Sequence, residues 1–263
     1  MSRFATLFPS SKPLIGMIAL PPLPGYPAFT TIDALVEVAL ADLRALELGG
    51  VDAVLVENDF DQPHTLVGGA EIVAAMTRVT REVVRRARVP VGVEVLLNDW
   101  RASLAVAAAT GACFIRLDFF VDRVQSKLGV IEPEPAEVIA YREKIGAESV
   151  LIFADLQVKY STLADGPKPI EQSAFEAALA GADAVIITGT ETGIGPNADD
   201  LRSARAGRIP VLIGSGLSPD NAAALAPLAD GFIVGTSLRT GRAATDRVAA
   251  DKVAGLVAAL RSL

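Results

Sequence analysis

Apolar residues gather along the chain in short runs, at 14–20, 51–58, 89–97, 113–120, 149–157, 182–189, 209–216 and 231–237. Each run is nearly continuous rather than alternating and is rich in Val, Ile and Leu. That is the pattern of strands covered on both faces, as in a parallel sheet. Between the runs, apolar residues recur with helical period, for instance over 31–48, 71–88, 102–110 and 171–180, which gives each segment one face built to pack. Similar signals introduce several strands: Gly50-Val-Asp-Ala53, Gly111-Ala-Cys-Phe114 and Gly181-Ala-Asp-Ala184. Each glycine is read as ending the preceding helix in a left-handed turn.

Eight strand–helix units follow one another with no linker and no shift in composition. The expected fold is a single α/β domain over residues 1–263, a closed (β/α)8 barrel with residues 1–12 as an N-terminal arm. An open doubly wound sheet is the competitor. It usually has fewer strands and carries a glycine-rich turn after the first. Here that position holds Pro21-Pro-Leu-Pro-Gly25, whose prolines lack the N–H donors that cradle a pyrophosphate.

Composition agrees with this. The 263 residues are 51% hydrophobic and only 5% aromatic, and a barrel of this kind needs about 250 residues. The net charge of −7 and the absence of a basic stripe exclude nucleic acid as a partner. The N-terminus lacks the apolar core of a signal peptide, and no run approaches the roughly 18 apolar residues that span a bilayer, so no membrane insertion and a cytoplasmic location are expected. A single cysteine, Cys113, precludes an internal disulfide and is read as a buried thiol. A single histidine, His64, cannot make a histidine-rich metal site and is placed at the site mouth.

The strongest chemical signal is Ile209-Pro-Val-Leu-Ile-Gly-Ser-Gly-Leu-Ser-Pro-Asp-Asn221, followed by Ala229-Asp-Gly-Phe-Ile-Val-Gly-Thr-Ser-Leu238. Gly214 and Gly216 flank Ser215 and let backbone N–H groups approach an anion that a Cβ would push away. Gly235, Thr236 and Ser237 form a second such turn, read as leading into a helix whose positive dipole end faces the anion. Gly193 closes the sixth strand's turn. The same glycines suit plain tight turns, yet two such turns at the seventh and eighth strands, in order, favour a phosphate site.

Polar groups gather where strands end, the active face of a barrel. The candidates are Glu57, Asn58 and Asp61 after strand two, Asn98 after strand three, Arg116 and Asp118 on strand four, and Asp155 with Lys159 on and after strand five. Arg116 and Asp118 are two apart and face the same side. A charge facing a packed interior must be paired or coordinated. For mid-strand Glu94 a structural pair with Arg116 is the preferred reading; for Glu57, Asp118 and Asp155, near strand ends, it is acid–base function. Lys159 is read as meeting an anionic substrate. No cofactor is required, although the acidic cluster is compatible with Mg2+.

Together these residues resemble the BtpA/SgcQ family of barrels over nearly the whole chain. The matching stretches include Leu20-Pro-Pro-Leu-Pro-Gly25, Val56-Glu-Asn58 with Asp61-Gln-Pro63, Ile152-Phe-Ala-Asp155, Val158-Lys159 and both phosphate loops. The resemblance implies either a role in photosystem I biogenesis or one in sugar metabolism, the two branches of the family. This chain departs from the family pattern in carrying Ala19 and Tyr160 where histidines are usual and Asp118 where Asn is usual. The leading expectation is an enzyme for a small phosphorylated metabolite, a sugar phosphate or nucleotide-like glycoside, with isomerisation, lyase chemistry and glycosidic cleavage open. The rival is a non-catalytic assembly factor for a membrane complex. A homo-oligomer is allowed by the sequence but not specified by it.

Overall fold

The structure, a computed structural model, describes residues 2–9 and 12–263. Its strands in chain order are β1 (Leu14–Ala19), β2 (Ala53–Glu57), β3 (Val91–Glu94), β4 (Phe114–Leu117), β5 (Val124–Ser126) and β6 (Gly129–Ile131). These are followed by β7 (Leu151–Asp155), β8 (Thr162–Leu163), β9 (Ala184–Ile187), β10 (Val211–Ile213) and β11 (Gly231–Val234). The helices are α1 (Arg3–Leu7), α2 (Ile32–Gly49), α3 (Ala70–Arg86), α4 (Trp100–Thr110) and α5 (Pro135–Lys144). After them come α6 (Ile170–Leu179), α7 (Ala198–Ala204), α8 (Pro219–Leu225) and α9 (Ala250–Arg261).

Eight strands close a parallel barrel in the order β1-β2-β3-β4-β7-β9-β10-β11. Closure is made at β1, where Ile15 sits opposite both Ala53 of β2 and Ile233 of β11. Each strand lies inside a run read from the sequence and is shorter than it, because the polar residues at the run's end leave the ladder. The left-handed glycines are as expected, with φ of 93° at Gly50, 88° at Gly111 and 97° at Gly181.

Strand alternation sorts the side chains into two cores. Val54, Val56, Val91, Val93, Ile115 and Ile152 face outward into the layer shared with the helices. Ala53, Leu55, Phe114, Leu151 and Phe153 face inward and fill the lower barrel. The same inward rows continue upward with Glu57, Glu94, Arg116 and Asp155. Thus the barrel interior is apolar at its N-terminal end and charged at its C-terminal end.

Two features depart from the sequence reading. The expected arm contains a helix, α1, capped by Ser2 Oγ, which accepts from Ala5 N at 3.1 Å. Its Phe4, with the following Phe8, packs 5.7 Å from Phe153 and 6.2 Å from Phe114 respectively, ring centre to ring centre, and plugs the barrel's lower end. Residues 1, 10 and 11 of that arm lie outside the described residues. The second departure is a small antiparallel sheet, β6-β5-β8, inserted after β4 and β7. Val124 and Ile131 on it pack with Phe119 and Val158, so it stands beside the barrel mouth. Among the described residues no helix is long and apolar enough to cross a membrane.

Candidate functional site

A cavity of about 320 Å³ opens at the C-terminal ends of the strands, within the roughly 300–1,000 Å³ of small-molecule sites. It joins the glycine loops to three of the charged residues singled out in the sequence, while Asp118 and Asp155 do not line it. Gly193, Gly214, Ser215, Gly216, Gly235, Thr236 and Ser237 line one side, and Glu57, Arg116 and Lys159 line the other.

The glycine loops are rigidly braced. Gly214 N donates to Ile187 O at 2.9 Å. Ser215 Oγ accepts from Gly189 N at 2.8 Å and donates to Ile194 O at 3.0 Å. Ser237 Oγ donates to Leu217 O at 2.7 Å, tying the two loops together. Asn221 Nδ2 donates to Gly216 O, and its Oδ1 accepts from Ser218 N. The serine hydroxyls therefore hold the loops, while the backbone N–H groups of Gly216, Thr236 and Ser237 donate to nothing among the described residues. Gly235 leads into a single 3₁₀ turn, Thr236–Leu238, and not directly into an α-helix as the sequence suggested; α9 begins only at Ala250.

Charge is layered on the opposite side. Glu57 and Glu94 are paired in register across β2 and β3. Arg116 follows on β4, and its neighbour Leu117 lies opposite Ala154, so Asp118 and Asp155 continue side by side. Arg116 grips Asp155 with both arms of a fork, Nε to Oδ2 at 2.8 Å and Nη2 to Oδ1 at 3.0 Å. Glu94, expected as the partner of Arg116, stands farther off at 3.7 Å. Both Glu94 oxygens are buried without a hydrogen bond, and burial holds its pKa well above the carboxylate range. Its register neighbour Glu57 is pushed up to about 7, first by burial and then by the Asp59 charge, against the opposing pull of Arg116. Asp118 is pushed up to about 6, by burial and then by the Asp155 charge. Neither Glu57 nor Asp118 makes a side-chain ion pair among the described residues, so of the three acids singled out only Asp155 is tied up.

Three expected site residues face elsewhere. Asn58 donates to Asp61 Oδ2 at 2.9 Å and accepts from Leu96 N at 2.8 Å. Asp61 in turn accepts from Leu23 N at 2.8 Å, so this pair locks the loops after β1, β2 and β3. Asn98 holds the backbone of Phe119 by both N and O, at 2.9 and 3.1 Å, and lines a separate cavity beside Trp100. His64 is not at the cavity; its Nε2 lies 2.7 Å from Gln62 Nε2 within the loop after β2. Cys113 is only partly buried and lies at the lower end of its strand. Tyr160 reaches over from the loop after β7, its hydroxyl accepting from Thr192 N at 2.9 Å. Among the described residues no group of three or more His, Cys, Asp or Glu is arranged to hold a metal ion.

Two cationic lining residues were missed, Arg239 and Arg242. Arg239 is buried, donates to Asp246 O at 2.6 Å and lies 4.8 Å over the Phe60 ring. Arg242 has no ion pair or hydrogen bond among the described residues, and its Nη2 lies 3.0 Å from the position a Cβ on Gly193 would take. The available signal was a pair of arginines three apart, directly after the Gly235–Ser237 turn.

Fold and cavity together define a (β/α)8 barrel with a polar cavity at the usual ligand-binding face. The chain belongs to the BtpA family, whose sequence profile matches residues 10–262. It is 38% identical to an uncharacterized protein of Archaeoglobus fulgidus, over 88% of this chain and 92% of that one. It is 35% identical to the photosystem I biogenesis protein BtpA of Synechocystis, over 91% of this chain and 84% of that one. Among solved structures, a Mycobacterium tuberculosis tryptophan synthase chain superposes with a TM-score of 0.65 at 20% identity, covering 99% of this chain and 98% of that one, which establishes the shared barrel fold.

Proposed function

We propose that this chain is an enzyme that holds a small phosphorylated metabolite by its phosphate and performs acid–base chemistry on the far end. The phosphate sits against the free N–H groups of Gly216, Thr236 and Ser237, with Gly193 leaving room for Arg242 to close over it. Arg242 contributes charge-assisted hydrogen bonds to the phosphate oxygens. At the other end Glu57 reaches the ligand as acid or base, Lys159 balances negative charge, and Arg116 and Asp155 shape the floor. Asp118 raises the proton affinity of Glu57 from behind.

The observation that carries this reading is the division within one cavity: unpaired anion donors on one wall and an unpaired carboxyl with a pKa of about 7 on the other. A carboxyl poised near the working pH serves proton transfer well. Thermal unfolding against a panel of phosphorylated sugars and nucleotides, each beside its dephosphorylated form, tests it. Stabilisation only by phosphorylated members supports the reading; equal response to both forms overturns it.

The name of the Synechocystis relative favours a second reading, an assembly role played by the outer surface. In that case an Arg242→Ala, Glu57→Gln double variant keeps full biological activity in a complementation assay, whereas the enzyme reading requires its loss.

A further inference from the structure

We propose that the substrate is a phosphorylated α-hydroxy carbonyl compound, an aldose or ketose phosphate. Glu57 carries a proton between its two adjacent carbons, and Lys159 faces the oxygen that turns negative. This rests on the phosphate-anchored reading above and narrows it to one substrate class and one reaction.

The sign of the surrounding charge selects among the open reactions. Glycosidic cleavage develops positive charge at carbon and uses two carboxylates flanking the bond from opposite sides. Here the carboxylates lining the cavity, Glu57 and Asp59, come from the same strand end, and Asp118 does not line it. Arg116, Lys159, Arg239 and Arg242 line the same space. Such a lining opposes a developing cation and stabilises a developing oxyanion.

Three of these cations make no ion pair among the described residues; Arg239 is held by the carbonyls of Ala243 and Asp246, and the other two divide the work. Arg242 lies beside Gly193, which also faces Thr236, at the phosphate end. Lys159 lies near enough to Glu57 and Asp118 to pull both carboxyl pKa values down against burial, so it serves the opposite end. Arg116 is neutralised by Asp155 and does not compete for this role. A ligand with phosphate at one terminus and a carbonyl at the other spans the two.

The step balances without a co-reactant. Glu57 takes the proton from the hydroxyl-bearing carbon, and that electron pair forms the carbon–carbon double bond as the carbonyl oxygen becomes an oxyanion beside Lys159. While it holds that proton the Glu57 carboxyl exchanges it with solvent, and it then delivers one proton to the former carbonyl carbon. The hydroxyl proton passes from one oxygen to the other, so ketose becomes aldose with no atom gained or lost. Burial raises the Glu57 pKa to about 7, toward the range that suits a group that must both take and give a proton.

The parent, Lys159→Met and Arg242→Ala are titrated by calorimetry with inorganic phosphate and with 2-phosphoglycolate, whose planar carboxylate mimics the enediolate. The parent should bind phosphoglycolate at least about tenfold more tightly than phosphate. Lys159→Met should erase that advantage while leaving phosphate binding intact, and Arg242→Ala should weaken both alike. In D2O, with a panel of three- to six-carbon aldose and ketose phosphates, the parent should place one deuterium beside the carbonyl of its substrate, and Glu57→Gln none. Equal binding of the two anions, no deuterium from any panel member, or covalent trapping on Lys159 by borohydride overturns the proton-shuttle assignment and leaves phosphate anchoring standing. Failure of both anions to bind overturns the phosphate reading itself.

Discussion

Arg116 and Asp155 meet across β4 and β7 through two parallel hydrogen bonds of 2.8 and 3.0 Å, deep in the charged upper layer of the barrel. Such a fork is the strongest geometry available to an arginine and a carboxylate. Its energetic meaning lies in what happens when half is removed. Arg116 is only 4% exposed, so neutralising Asp155 leaves a buried cation with Glu94 as the nearest acid, at 3.7 Å. Asp155→Asn should therefore cost about 3 kcal/mol. Asp118 has no such partner, and its neutralisation should leave stability unchanged or raise it by about 1–3 kcal/mol at pH 8. Guanidinium unfolding of both variants beside the parent checks this; equal losses would assign both acids to a structural network.

The pH dependence of stability should carry the mark of Glu57. Its pKa rises from 4.5 in the unfolded chain to about 7 in the fold, so the folded state binds the extra proton between those values. Stability from this group is thus full below pH 4.5 and is lost as pH rises toward 7. Asp118, raised from 3.8 to about 6, acts in the same direction over a lower window. At about 1.4 kcal/mol per pKa unit, Glu57 alone accounts for a few kcal/mol. The difference between parent and Glu57→Gln in unfolding free energy, measured from pH 5 to pH 8, should grow as pH rises. A difference that stays flat across this range would mean that Glu57 is not strained by burial.

What the sequence revealed and what it hid follow from the range of each signal. Barrel strands are local, continuous apolar runs, and alternation along them already put Arg116 and Asp118 on one face. The glycine loops were legible because their residue types are unusual and their order along the chain is fixed by the barrel. By contrast, Asn58, Asp61 and Asn98 looked like ligand-facing groups, yet each serves a neighbouring loop's backbone. Only the fold brings Leu23, Leu96 and Phe119 to them. That Arg116 pairs with Glu94 as expected, at 3.7 Å, but more tightly with Asp155, at 2.8 Å, likewise depends on side-chain reach across strands. The β6-β5-β8 sheet has strands of two or three residues, too short to leave a periodic trace.

The aromatic plug gives a prediction that is independent of the site. Phe114 and Phe153 stack at 4.8 Å inside the lower barrel, and Phe8 lies against both from below. Phe8→Ala should cost about 3 kcal/mol, through lost burial and the void left behind. Ligand binding at the opposite end should be unchanged. Chemical denaturation and calorimetry on the same sample check both halves. A loss below about 1 kcal/mol would show that the lower barrel closes without Phe8.

Gly216 and Arg242 make the sharpest contrast at the glycine loops after β10 and β11. Gly216 has a φ of 67°, and a Cβ there would stand 2.0 Å from the Ile194 carbonyl carbon and 2.2 Å from Gly195 N. Gly216→Ala must therefore displace the loop after β9, and should cost stability as well as phosphate affinity. Its effect on binding alone says little about contact with an anion. Arg242 is exposed and engages no other side chain among the described residues, so Arg242→Ala should change unfolding free energy by no more than about 0.5 kcal/mol. Its phosphate affinity should still fall about tenfold, the worth of one charge-assisted contact. Unfolding and phosphate titration on the two variants separate a residue that shapes the pocket from one that meets the ligand. If Arg242→Ala binds phosphate as tightly as the parent, the guanidinium points to solvent in the complex and the anion is held by backbone donors alone.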